Sequence, residues 1–137
     1  MRWRSLHLVI GLLGFAVFVG TGLYMALVHH GLQGMPDGPR MFFRSAHIYL
    51  LWSSLLNLLL GCHFAEVQRG VRRWLQAVGS LVIAVGPLLL GTSFFIEQYN
   101  AGLLRPIGQL AVFVSFAGAV LHVLAKIRSR AKPAEPA

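Results

Sequence analysis

Charged residues divide the chain into four long apolar stretches. No Asp, Glu, Lys or Arg falls between Arg4 and Asp37, between Arg44 and Glu66, between Arg73 and Glu97, or between Arg105 and Lys126. The apolar cores of these intervals run over 8–28, 45–65, 74–96 and 106–125. Each has about 20 residues, the length at which a helix rising about 1.5 Å per residue crosses roughly 30 Å of hydrocarbon. A span must satisfy its own backbone hydrogen bonds, and none of the four alternates as a barrel strand does, so helices are expected. The pattern predicts spans over about 5–29, 45–65, 74–96 and 106–126. It defines an all-α integral membrane protein with four transmembrane helices in an up-down bundle. The first span follows Arg2 and Arg4, as a signal peptide would, but its apolar run is longer than a signal core and no small-x-small cleavage site follows Val28, so it reads as retained.

Within the spans the polar and small residues recur at helical spacing. His7, Gly11, Gly14, Phe18, Thr21, Met25 and His29 form one stripe on the first helix. Gly79, Ile83, Gly86, Leu90, Ser93 and Glu97 do so on the third, and Gly108, Ala111, Ser115, Gly118 and His122 on the fourth. The second helix gathers Ser54, Asn57 and Gly61 in a narrow arc with His47 at its edge. Lipid gives no hydrophobic drive for helix association, so faces that let backbones approach closely are expected to point inward. Asn57, near mid-membrane, requires a partner on another helix. Pro87 falls mid-span and should kink the third helix unless a neighbour satisfies the carbonyl it frees. Gly31, Gly34, Pro36, Asp37, Gly38 and Pro39 read as the first connection, and Pro106 marks the start of the fourth helix. One transmembrane domain over 1–130 and a disordered C-terminal tail over 131–137 account for the chain.

Composition agrees with this plan. Of 137 residues, 56% are hydrophobic and 12% charged, against about 25% charged in a soluble domain, and the mean hydropathy is +0.68. The net charge of +8 is mainly an orientation signal. Arg2, Arg4, Arg69, Arg72, Arg73, Lys126, Arg128, Arg130 and Lys132 collect at one end, while only Arg40, Arg44 and Arg105 lie at the other. The positive-inside rule then places both termini in the cytoplasm of a cell bounded by a bacterial-type inner membrane. Trp3 and Trp74 fall at the inner boundary, and Tyr24, Tyr49 and Tyr99 near the outer one, as interfacial aromatics do. The expected partners are the lipid bilayer and a membrane-protein partner or second copy. No compact basic soluble face offers itself to nucleic acid.

Histidine supplies the chemistry. His7, His63 and His122 fall near the inner rim, and His29, His30 and His47 near the outer rim. Two imidazoles at one depth on facing helices suit haem iron, with nearby arginines for propionates. His63 with His122 is the first candidate pair for haem b, with His7 the substitute at that depth and His29 with His47 the outer pair. Four spans with two histidine layers resemble, in architecture, the small b-type cytochromes that carry electrons across a bilayer. His47 and His63 are about 24 Å apart along their helix but about 160° apart around it, which opposes two haems in one groove. A second constellation at the outer rim joins His29, His30, His47 and Glu97, with Met25, Met35 and Met41 nearby. Thioether with imidazole favours copper, and imidazole with carboxylate favours zinc or iron. The alternative to both is that no cofactor is bound.

No phosphate-binding glycine loop or Ser/His/Asp order supports hydrolase or kinase chemistry. Carboxylates border spans only at Glu66 and Glu97, which weakens proton-coupled transport. Cys62 is the single cysteine, so an internal disulfide is excluded. The sequence points to a haem- or metal-binding electron carrier. An accessory or assembly subunit of a larger membrane complex is the alternative, and an oligomeric channel or carrier for small solutes a third reading.

Overall fold

The computed structural model describes residues 3–67, 70–97 and 104–127. It is all-helical, with α1 over Trp3–Leu27, α2 over Asp37–His63, α3 over Val71–Ile96 and α4 over Pro106–Ile127. A single 3₁₀ turn over His30–Leu32 lies between α1 and α2. All four helices are long and apolar enough to cross a membrane. Arg69, Tyr99 and the tail over 131–137 lie outside the described residues.

The helix boundaries depart most from the charge-defined spans at α2, which begins at Asp37 rather than near 45. Pro36 and Pro39 cause this. Proline tolerates the first turn of a helix because no intrahelical acceptor awaits its missing N–H. Arg40 N–H closes that turn on the Pro36 carbonyl at 3.1 Å. Asp37 lies at the positive end of the helix dipole and pairs with Arg40. The residues that read as a loop therefore serve partly as a helix start, and Arg40 and Arg44 ride on the helix below the apolar span.

Consecutive helices run antiparallel. Arg4 bonds Gly61, His7 bonds Asn57 and Thr21 bonds His47 between α1 and α2. Ser80 meets His122 and Glu97 meets Gly108 between α3 and α4. Packing is closest within the pairs α1/α2 and α3/α4; α3 also lies against α1 and α2, and α2 meets α4 only narrowly. The small-residue stripes face inward as the spacing predicts. His7, Gly11, Gly14 and Thr21 are the buried residues of α1. Gly79, Ile83, Gly86, Leu90 and Ser93 are buried on α3, and Gly108, Ala111, Ser115, Gly118 and His122 on α4.

Pro87 leaves α3 unbroken. The carbonyl it deprives of an intrahelical donor belongs to Ile83, and Asn57 Nδ2 donates to that oxygen at 3.1 Å. Two problems visible in the sequence, a polar side chain in mid-membrane and a helical proline, thus solve one another across the α2/α3 contact.

The α3/α4 seam depends on two glycines. A Cβ on Gly79 would lie 2.9 Å from the Gly118 carbonyl oxygen, and one on Gly118 would lie 2.9 Å from that of Gly79. Backbone cannot give way as a flexible side chain can. Gly79→Ala and Gly118→Ala are each expected to destabilise the bundle by about 1–3 kcal/mol, read as a lower unfolding midpoint in detergent. Gly20→Ala, where a Cβ meets nothing within 4 Å, should leave the midpoint unchanged or raise it slightly.

Candidate functional site

The polar core has two parts, one at each end of the bundle. At the end that holds the 63–71 connection, Asn57 is the organising residue. It is fully buried, and its Nδ2 donates to the Ser53 carbonyl at 2.9 Å as well as to that of Ile83. Both amide hydrogens are therefore committed, which leaves Oδ1 as the group facing His7 Nδ1 at 2.8 Å. An amide oxygen only accepts, so His7 Nδ1 carries the proton and donates. An unpaired buried charge is costly, so the ring is neutral and the tautomer follows: His7 Nε2 holds a bare lone pair. That nitrogen is buried and has no hydrogen-bond partner among the described residues, a situation that costs about 1–3 kcal/mol for an ordinary polar group.

The His7 ring faces that of His122 on α4, with centroids 6.4 Å apart and planes at 69°. His122 is 4% exposed, and its Nε2 lies 2.9 Å from the Ser80 hydroxyl of α3. Phe64, just past the end of α2, packs against both imidazoles, with centroids 5.7 Å from His7 and 5.4 Å from His122. Gln76 fixes the segment that carries Phe64: its Oε1 accepts from Val67 N–H at 2.8 Å and its Nε2 donates to the Ala65 carbonyl at 2.8 Å. Beside His122, a cleft of about 170 Å³ opens between α2 and α4, lined by Leu56, Leu60, Ile83, Ala119 and Val123 among others.

At the opposite end the remaining candidate residues separate into three local arrangements. His47 Nδ1 lies 2.9 Å from the Thr21 hydroxyl, which itself donates to the Phe18 carbonyl, and the His47 ring stacks on Phe18 at 4.1 Å. His29 sits between Tyr24 and Phe43, with centroids 5.1 and 4.9 Å away, and its Nε2 is buried without a partner among the described residues. Glu97, 1% exposed, caps α4: Oε1 accepts from Ile107 N–H at 2.6 Å, and Oε2 accepts from Gly108 N–H at 3.1 Å and from the Ser93 hydroxyl. Pro106 precedes these two donors and has none of its own, so the carboxylate reaches both free amides of the first turn. Arg105 Nε lies 3.9 Å from Glu97, its Nη1 donates to the Ser45 hydroxyl at 2.5 Å, and its guanidinium lies over the Phe42 ring at 4.8 Å. Burial lowers the Arg105 pKa from its ordinary value, and the charge at Glu97 opposes that fall.

The candidate ligands thus sort differently from their order in the sequence. His7 and His122 come together. His63, the first candidate partner of His122, is exposed near the end of α2, with Nδ1 at 3.3 Å from the Leu59 carbonyl of its own helix. His47 engages α1 through Thr21, His29 lies in an aromatic pocket, His30 is exposed and Glu97 is held by the α4 backbone. Among the described residues, no group of three or more His, Cys, Asp or Glu side chains is placed to hold a metal ion. Sequence reasoning did not single out Ser80, Phe64 or Gln76. Ser80 carried a usable signal, because it stands beside Gly79 on the inward face of α3.

No protein-family model matches the chain, nor does any curated protein or solved structure. Fold and composition define the class, a small helical membrane protein with four candidate spans.

The Glu97 cap carries a measurable consequence. Glu97→Ala removes the acceptor of two α4 amides and leaves Arg105 facing an empty carboxylate position. Breaking a buried pair from one side costs on the order of 3 kcal/mol. The variant is expected to unfold at a lower temperature in detergent, and Glu97→Gln, which keeps one acceptor oxygen, should recover part of the loss.

Proposed function

We propose that the protein is a membrane-embedded electron carrier whose transition-metal centre is ligated by His7 and His122. The observation that carries this reading is the bare Nε2 of His7. A ligating histidine commonly donates its other ring N–H to a neighbouring oxygen, which sets the tautomer and raises the basicity of the free nitrogen. Asn57 holds His7 in that state. Metal–imidazole bonds of about 2.0–2.1 Å put the centroids of two opposed imidazoles roughly 6 Å apart, which agrees with the 6.4 Å separation of His7 and His122. Helical bundles build such centres from side chains of facing helices.

The size of the occupant separates haem iron from a single ion. Ligand pockets run from about 300 to 1,000 Å³, whereas the cleft of about 170 Å³ beside His122 is not lined by His7, and the Phe64 ring packs against both imidazoles. A haem b at this pair requires Phe64 to leave the two rings, whereas a lone copper, zinc or iron ion does not. Electron transfer belongs to haem, copper or iron, since zinc has no redox chemistry. The excess of Lys and Arg at the His7 end supports a cytoplasmic position for that end, and a membrane-protein partner or second copy would exchange the electron.

Absorption spectra of detergent-purified protein with and without dithionite test the haem form, and elemental analysis tests the ion. Either a Soret band or bound metal is expected, and His7→Ala and His122→Ala should each abolish or shift it. His63→Ala should not. The absence of both signals after expression with haem and metals supplied overturns the reading. For orientation, a reporter active only in the cytoplasm should be active when fused after residue 137. One active only outside the membrane should be silent there.

A further inference from the structure

The opposite end of the bundle carries a second buried, unpartnered imidazole nitrogen in a different chemical setting. His29 Nε2 is buried and unpartnered among the described residues, and its ring lies against Tyr24 and Phe43. Phe43 belongs to a cluster with Leu32, Ala46 and Phe94, and Met25 and Met35 pack against that cluster. Met25 lies in the last turn of α1 and Met35 beyond the 3₁₀ turn, so both thioethers border the aromatic cluster whose Phe43 ring also touches His29. Met35 returns from the far side of the connection.

The backbone between them is strained to make this return. His30, Gly31 and Leu32 have φ of 47°, 68° and 67°, three left-handed residues in a row, of which two are not glycine. Left-handed conformation costs a residue with a Cβ roughly 1–2 kcal/mol, and such strain persists where surrounding structure over-determines it, often at binding sites. Leu32 is seated in the cluster at 4% exposure, which anchors the turn.

We propose that this turn is a site for monovalent copper, ligated by His29 Nε2 and the Met25 and Met35 thioethers. The donor types support the choice of ion. Thioethers select Cu(I) among biological metals, while a site for zinc or iron at this rim would need a carboxylate or further imidazoles. Those are committed elsewhere: Glu97 caps α4, His47 engages Thr21 and His30 is exposed. The aromatic surroundings of His29 also favour a weakly hydrated univalent ion over a divalent one. This site is independent of the His7/His122 centre.

The test is a titration of detergent-purified full-length protein with Cu(I), kept reduced by ascorbate, against the chromogenic chelator bicinchoninate. Cys62 is an exposed thiol that binds Cu(I) by itself, so wild type and Cys62→Ser are titrated in parallel. Cys62→Ser is expected to retain one copper per chain at the His29 site, and wild type at least as much. His29→Ala and the double variant Met25→Leu with Met35→Leu, both in the Cys62→Ser background, should weaken that binding on the order of tenfold or more, the scale at which even outer contacts alter metal affinity. Leucine keeps the volume of methionine, so the double variant preserves packing. X-ray absorption of the loaded protein should show sulfur neighbours that disappear in that variant. No retention by wild type, loss on Cys62→Ser alone, unchanged retention in the His29 and methionine variants, or loss on His7→Ala in place of His29→Ala each overturns the assignment.

Discussion

The bundle depends on a single side-chain amide. Asn57 Nδ2 supplies the hydrogen bond that Pro87 denies to the Ile83 carbonyl, and its Oδ1 takes the proton of His7 Nδ1. Three helices are joined at one residue, and every polar atom of that residue is used. In hydrocarbon an unsatisfied carbonyl has no water to turn to, so α3 can keep a proline within its span only while Asn57 stays in register. The same bond decides which nitrogen of His7 is free. Helix continuity and imidazole chemistry are therefore set by one constraint, and neither can be altered without the other.

Much of this was legible along the chain, for reasons that lie in helical periodicity. Gly11 with Gly14, Gly79 with Gly86, and Gly108 with Gly118 mark inward faces because only small residues admit a neighbouring backbone. His7 and His122 sit on the same faces by the same spacing. Depth alone does not determine azimuth: Gly61 is buried while His63, two residues on, turns outward. The need of Asn57 for a partner and the carbonyl freed by Pro87 were each visible, but their mutual solution requires the register of two helices, which no single stretch encodes. Glu97 read as a potential metal ligand since it ends the third span at the same rim as His29, His30 and His47. Its target, the amides of Ile107 and Gly108, becomes apparent only when the connection brings α4 back beside the end of α3.

The two ends of the core differ in how their imidazoles are supported. Near the 63–71 connection, His7 and His122 are oriented by amide and hydroxyl groups from α2 and α3, and Gln76 secures the segment that covers them. At the other end, His29 is confined by aromatic surfaces and a left-handed turn. Hydrogen bonding therefore prepares one nitrogen, and shape confines the other. Buried groups of this kind are costly in lipid, and the tight glycine seams contribute the packing that offsets the cost.

The pairing of α1 with α2 and of α3 with α4 also bears on how the chain assembles after insertion. Each pair is a helical hairpin able to enter a bilayer as a unit, in keeping with a two-stage course in which spans form first and associate afterwards. Alone, the first hairpin holds an amide donor without its Ile83 acceptor, and the second holds a carbonyl without a donor. Each half carries a polar fault that the other cancels, at one depth and one azimuth. The docking of the hairpins is thus keyed: a shift by one helical turn leaves both faults exposed to lipid, and the native register is the one that removes them together.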